Sequence, residues 1–161
     1  MKKYFVCSDI HGRLQVLKTA LSKQKGLDGV IIAGDLELET YEITDMIYKM
    51  FPEGCMVYMV AGNCDRYTPS ASMLTTEDTV RISENHTLLL THGHRYHVPR
   101  TDLLSYAALQ AGADVVVFGH THCRCREEED GILFLNPGAI RNGQYMVLTV
   151  DDTENIRAEF Y

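Results

Sequence analysis

No stretch of this 161-residue chain approaches the roughly 20 consecutive apolar residues that a membrane-spanning helix needs. The chain opens on Met1-Lys2-Lys3, the basic start that a signal peptide has, but the apolar run behind it stops at Ser8-Asp9. A secretory core needs roughly 7–15 apolar residues, so the expectation is a cytoplasmic protein with no membrane partner. Clustered positive charge is missing too: net charge is −7, and no block of Lys and Arg stands out. Long nucleic acid is therefore not an expected partner, because counterion release needs a basic footprint. A small anionic substrate stays open, since bound cations invert the sign of a local field. Cysteine is too sparse for a disulfide scaffold. The five thiols (Cys7, Cys55, Cys64, Cys123, Cys125) are an odd number and read as reduced. Linkers, repeats and low-complexity tracts are absent as well, so residues 1–161 read as a single domain, long enough for a proper core.

What the chain does have is a recurring arrangement. Five short apolar runs each deliver a metal-ligand residue at their downstream end. Tyr4-Phe5-Val6-Cys7 runs into Asp9 and His11, Val30-Ile31-Ile32-Ala33 into Asp35, and Met56-Val57-Tyr58-Met59-Val60 into Asn63. Leu88-Leu89-Leu90 leads to His92, and Val115-Val116-Val117-Phe118 to His120 and His122. In open α/β sheets the ligand crevice lies outside the carboxyl ends of the strands, so seven such residues point to one polynuclear centre.

Between the runs, helices are legible. Leu14, Leu17 and Leu21 make an amphipathic stripe, with Gly26 as the expected stop. A second helix covers about Tyr41 to Met50 and ends before Pro52; a third runs from about Asp102 to Gln110, N-capped by Thr101 and closed by Gly112. The first half thus alternates strand and helix, which implies parallel strands with crossover helices. Later, Thr79–Ile82 can pair with Thr87–Thr91, and Asp130-Gly131 signals a hairpin between Arg124–Glu128 and Ile132–Leu135. Gln144–Val150 and Asn155–Phe160 follow. The late strands predict a second, largely antiparallel sheet. The fold expected is α/β: a two-sheet sandwich of mixed strands flanked by helices.

Asp9-x-His11 and His120-x-His122 share a spacing that, on an extended segment, sends both side chains to one side and so to one site. Oxygen and imidazole donors without clustered thiolates suit Mn, Fe, Ni, Co or Zn rather than a structural zinc knot. Two ions sharing a carboxylate, roughly 3.5–4 Å apart, polarise a phosphoryl oxygen and generate hydroxide near neutral pH. Scattered turn residues are the plain alternative, since Asp, Asn and Gly favour loops after strands, but that leaves the completed donor set unexplained.

The ordered set Asp9-x-His11, Gly34-Asp35, Gly62-Asn63-x-Asp65, Thr91-His92-Gly93 and Gly119-His120-x-His122 resembles the calcineurin-like metallophosphoesterase superfamily. Ser8-Asp9-Ile10-His11-Gly12, Gly62-Asn63-Cys64-Asp65, Thr91-His92-Gly93-His94 and Asn136-Pro137-Gly138-Ala139 resemble its small YfcE-type phosphodiesterases. The resemblance implies a two-sheet sandwich flanked by helices and a site for two divalent ions, Mn first, with Ni, Co, Fe or Zn as alternatives. It implies one ion held by Asp9, His11, Asp35 and His122, and another by Asp35, Asn63, His92 and His120. A bridging hydroxide would then attack the phosphorus of a small phosphodiester in line with the leaving alcohol. Asp35, Asn63, Cys64, Asp65, His92 and His94 form the implied catalytic set. Many superfamily members carry histidine where Cys64 stands, and that histidine helps protonate the leaving group. A thiol with a pKa near 8.5 is a weaker donor. Esters with good leaving groups are then favoured, or His94, the nearest candidate by motif, substitutes.

Arg13, Arg66 and Arg141 are candidate phosphate contacts, with solvated surface as the equal alternative. Cys123-x-Cys125 reads as two free strand cysteines, and Glu127-Glu128-Glu129-Asp130 as a solvated hairpin tip. A homodimer or small homo-oligomer is open, because such assemblies are common in the family. Two other functions compete: a metal-binding scaffold, as in a retromer subunit of this fold that departs from the full ligand set, and a phosphomonoesterase or nucleotide hydrolase.

Overall fold

The computed structural model describes residues 1–161. In strand β1 (Lys2–Cys7), Tyr4 and Val6 face one side while Phe5 and Cys7 face the other, and all four are buried. A strand apolar on both faces belongs inside a layered fold. Helix α1 (Leu14–Leu21), β2 (Gly29–Ile32), α2 (Thr40–Met50) and β3 (Met56–Met59) follow, with β1, β2 and β3 parallel. A 3₁₀ turn (Asn63–Tyr67) and a short helix α3 (Pro69–Ser72) lead to the antiparallel pair β4 (Glu77–Arg81) and β5 (Thr87–Thr91). Helix α4 (Asp102–Ala111) crosses over to β6 (Val115–Val117), parallel to β5. The hairpin β7 (Cys125–Glu129) and β8 (Ile132–Asn136) turns on Asp130 and Gly131, both at positive φ as the type I′ geometry requires. A last antiparallel pair, β9 (Met146–Val150) and β10 (Ile156–Phe160), completes the chain.

Two five-stranded sheets result, ordered β10-β9-β1-β2-β3 and β4-β5-β6-β8-β7. Val6, Ile31, Leu88, Leu90, Val117 and Leu148 belong to the core between them. The outer face of the first sheet packs Phe5, Val30 and Ile32 on Leu17 and Leu21 of α1 and Ile43 and Ile47 of α2. The second sheet's outer face packs Leu89, Val116, Phe118 and Phe134 on Leu104 and Ala108 of α4. The expected two-sheet sandwich with outer helices is therefore present.

Four expectations change. The second sheet is mixed, with two parallel and two antiparallel pairings, because the α4 crossover forces β5 and β6 to run together. The final strands do not join it: β9 pairs with the edge of β1 that β2 leaves open, Tyr4 opposite Leu148. Helix α1 stops at Leu21, five residues before Gly26, where the Ser22 hydroxyl donates to the Thr19 carbonyl at 2.7 Å. Thr101 does not cap α4 with its side chain, which donates instead to Glu129 of β7 at 2.8 Å. Gly112 closes that helix in the left-handed conformation as expected.

Candidate metal centre

The parallel strands β1, β2 and β3 of one sheet and β5 and β6 of the other end at the same edge of the sandwich. Past their ends the ladder continues into the loops: Asp9 N–H donates to Gly34 O, His11 N–H to Asp35 O, and Gly119 N–H to His92 O. All seven expected ligands lie on these loops. Five of them, Asp9, His11, Asp35, His120 and His122, hold positive φ. Only nine non-glycine residues in the chain do so, and such strain costs about 1–3 kcal/mol each unless the surroundings enforce it. The side chains converge by left-handed turns, not by the extended geometry the spacing suggested.

Two groups of donor atoms form from the expected ligands alone. Asp9, His11 and His122 bring ligand atoms within 4.8 Å of one another, and Asp35, His92 and His120 do the same. His120 and His122 therefore fall in different groups of the one cluster, and Asp9 and His11 in the same one. His11 Nε2 joins the groups, 3.3 Å from His122 Nε2 and 3.8 Å from Asp35 Oδ2. Asn63 Oδ1 lies 3.1 Å from His120 Nδ1, at the open mouth, while Asp9, Asp35 and His92 form a buried floor.

The floor contains two orphans. Asp9 Oδ1 and His92 Nε2 are buried with no hydrogen-bond partner. Asp9's other oxygen accepts from the Ser8 hydroxyl at 2.7 Å and the His120 amide at 3.1 Å, so the free oxygen is held in place, facing His122 Nε2 at 3.1 Å. His92 donates Nδ1–H to the Ala33 carbonyl at 2.7 Å, which leaves the Nε2 lone pair aimed at the cluster. Leaving such atoms unsatisfied costs about 1–3 kcal/mol apiece. Divalent cations fit: carboxylates and neutral imidazoles with fixed outer nitrogens are what they need.

The field agrees. Burial alone would lower the His92 pKa, but Asp35 and Asp9 outweigh it and raise it. Burial would raise Asp35, yet His92 and the Cys64 amide hold its carboxyl below the usual range. An environment that favours a proton on His92 also favours a cation beside it.

The remaining candidates separate. Asp65 is fully buried, and its two oxygens accept from the amides of Leu36, Glu37 and Gly62. It braces the Asp35 and Asn63 loops and does not face the cluster. Cys64 donates its amide to Asp35 Oδ1 at 2.8 Å, and its sulfur belongs to a third donor group with His11 and Asp35. Burial, then Asp35 and Glu37, push that thiol up to about 12. The His94 ring sits 5.4 Å from His92 and 6.2 Å from His120, with Nδ1 buried and unpartnered. Burial, then His92, Arg95 and His120, lower its pKa. Arg13, Arg66 and Arg141 are exposed and none makes a side-chain hydrogen bond or ion pair; Arg66 stacks over Tyr67 at 4.7 Å.

Supporting residues to which the sequence reading gave no role complete the site. Asn136, fully buried, donates to Gly119 O and Thr121 Oγ1 and accepts from Gly138 N–H, clamping the His120 loop. Its Asn-Pro-Gly tripeptide was the available signal. Ser8 on Asp9 stood in the Ser8-Asp9-Ile10-His11-Gly12 motif without a role of its own, and Glu37 on His11 (Nδ1 to Oε1, 2.8 Å) carried no signal. Gly62 and Gly119 are needed for close approach: a Cβ would lie 2.1 Å from Asp35 Oδ1 and 1.9 Å from Ser8 Oγ, respectively.

Comparison with known proteins identifies the family and the fold. The model of the calcineurin-like phosphoesterase superfamily domain matches residues 2–153. A probable metallophosphoesterase of Bacillus subtilis, YsnB, is 33% identical over 156 residues, covering 91% of this chain and 83% of that protein. Phosphodiesterase YfcE of Escherichia coli K12 is 28% identical, covering 87% and 80%. A crystal structure of a predicted phosphoesterase from Streptococcus pneumoniae superposes with a TM-score of 0.76 at 27% identity, over 99% of this chain and 88% of the other. Vps29 from Entamoeba histolytica, solved with zinc, superposes at 0.69 over 99% and 98%, and at 21% identity that likeness carries the fold alone. With the family model spanning residues 2–153, the chain belongs to the calcineurin-like phosphoesterase superfamily.

Proposed function

We propose that the chain is a single-domain phosphodiesterase, residues 1–161, that uses two divalent cations to hydrolyse a small phosphodiester. The observation that carries this reading is the pair of donor groups sharing one buried floor, where Asp9 Oδ1 and His92 Nε2 make no hydrogen bond and instead face His122 Nε2 and Asp35 Oδ2, each at 3.1 Å. Asp9, His11 and His122 would hold one ion, His92, His120 and Asn63 the other, with Asp35 between them. Mn²⁺ is the proposed metal, because the set is hard oxygen and imidazole with no ionised thiol. When bound, the cations supply charge neutralisation at a phosphoryl group and acidify water.

The chain's own residues set orientation and selectivity. Asp65 and Asn136 hold the ligand loops; Arg13, Arg66 and Arg141 have guanidinium groups free to meet a phosphate oxygen. Neither Cys64, with its thiol up at about 12, nor His94, with its lowered value, is a ready proton donor. Esters whose leaving groups need no protonation are therefore the preferred substrates. The five free cysteines support a reducing, cytoplasmic setting. The complete donor set favours hydrolysis over scaffolding.

The test is an assay of chelator-stripped protein reloaded with Mn²⁺, run in parallel on bis-p-nitrophenyl phosphate and p-nitrophenyl phosphate. The reading requires turnover only with metal, faster on the diester, and lost in Asp35→Asn. Folded, metal-loaded protein that turns over neither ester with Mn²⁺, Ni²⁺, Co²⁺ or Zn²⁺ would return the scaffold reading.

A further inference from the structure

Of the nine strained non-glycine residues, five are the expected ligands; Glu37 (φ 50) is a sixth on the same loops, and no motif marks it. Its amide is fixed by Asp65 Oδ1 at 2.9 Å, beside that of Leu36. Although its side chain is 42% exposed, the carboxylate turns inward and places Oε1 2.8 Å from His11 Nδ1. A carboxylate only accepts, so Nδ1 carries the proton and donates. The Nε2 lone pair is then free, and it faces His122 Nε2 at 3.3 Å, Asp9 Oδ1 at 3.5 Å and Asp35 Oδ2 at 3.8 Å. Other rings of the cluster are oriented by neutral groups: His92 by the Ala33 carbonyl and His120 by the Asn63 amide oxygen. His11 alone has a carboxylate on Nδ1.

We propose that Glu37 is a positioning residue, which fixes the tautomer and ring orientation of His11 so that the Asp9–His11–His122 group is ready for a cation. This rests on the metal-centre reading above. The left-handed backbone at Glu37 is part of the device. With ordinary backbone the carboxylate would leave the loop in another direction, and the Asp65 brace holds the strained form.

The test uses the full chain and Mn²⁺ alone, in isothermal titration, together with imidazole ¹⁵N shifts of the metal-free protein. Glu37→Ala should weaken one Mn²⁺ site by roughly 10- to 100-fold, the usual effect of losing an outer partner of a ligating histidine. Glu37→Gln keeps an acceptor oxygen and should recover most of that loss. In the wild type His11 should be a single Nδ1–H tautomer, and in Glu37→Ala a mixture. Unfolding midpoints confirm that both variants are folded, as an exposed side chain predicts. Wild-type Mn²⁺ affinity in Glu37→Ala, with the His11 tautomer unchanged, overturns the proposal. Should the wild type bind no Mn²⁺ at all, the metal reading fails, and the tautomer measurement on metal-free protein still decides whether Glu37 orients His11.

Discussion

His92 Nε2 lies 3.1 Å from Asp35 Oδ2, although Asp35 follows β2 in one sheet and His92 follows β5 in the other. The contact exists because both sheets bring carboxyl ends of parallel strands to one edge, where loops of each contribute half a cluster. Neither sheet alone could build it.

A ligand that binds the folded chain but not the unfolded one stabilises it by mass action, about 2.7 kcal/mol at a hundredfold excess over Kd. Mn²⁺ should therefore raise the unfolding temperature of chelator-stripped protein. Asp35→Asn should remove most of that rise, since Asp35 faces both donor groups. Calorimetry with and without Mn²⁺ checks this, and an unchanged wild-type transition at saturating Mn²⁺ counts against a preformed site.

Gly119→Ala should be costly. Its Cβ would fall 1.9 Å from Ser8 Oγ and 2.8 Å from Asp9 Oδ2, both buried and hydrogen-bonded to each other. Overpacking of this kind costs about 1–3 kcal/mol. Gly26→Ala meets nothing within 4 Å and suffers only its positive φ, a cost of about 1–2 kcal/mol. Urea unfolding should show both losses, but Mn²⁺ affinity should fall only in Gly119→Ala. Equal Mn²⁺ affinity in the two variants would contradict the tight seat assigned to Asp9.

Far from the cluster, His86 ties three loops together through Asp114 and the Glu154 carbonyl. Burial would lower its pKa, but the Asp114 hydrogen bond and the charges of both carboxylates outweigh that and raise it above 6.5. A raised folded-state value means the stabilisation is fully present below 6.5 and is lost as pH rises through the folded value. His86→Gln should thus destabilise most on the mildly acidic side, and the gap should close at alkaline pH. Denaturation midpoints across pH measure it; a gap that widens with rising pH would reverse the sign.

Thiol chemistry should be ordered by exposure and ionisation. Cys123 is exposed, while burial, followed by neighbouring carboxylates, pushes Cys125 up to about 11 and Cys64 to about 12. Iodoacetamide near neutral pH should label Cys123 first, and Cys7 and Cys55 only on unfolding. Mass spectrometry of a time course reads the order. Early labelling of Cys64 would show that its thiol is more ionised than its surroundings allow.

The expected ligands could be singled out because each stands just behind an apolar run; in space His92 meets Asp35 and Asn63 meets His120, pairings that chain order does not give. The Asp130-Gly131 hairpin and the Gly112 helix end were legible for local reasons, since left-handed backbone has its own residue preferences. The partner of β9 was not, because pairing depends on which edge of β1 is left open, a property of the whole sheet. Thr101 looked like a cap, and Glu129, distant in sequence, took its hydroxyl. Asp65 read as catalytic from its motif, while its buried carboxylate serves three backbone amides. Glu37 carried no sequence signal, since only the strained loop brings it to His11.

Anomalous diffraction from crystals soaked in Mn²⁺ tests the central claim most directly. Two peaks are predicted, about 3.5–4 Å apart, one among Asp9, His11 and His122 and one among Asp35, His92 and His120. A single peak, or none within reach of Asp35, would contradict a two-cation centre.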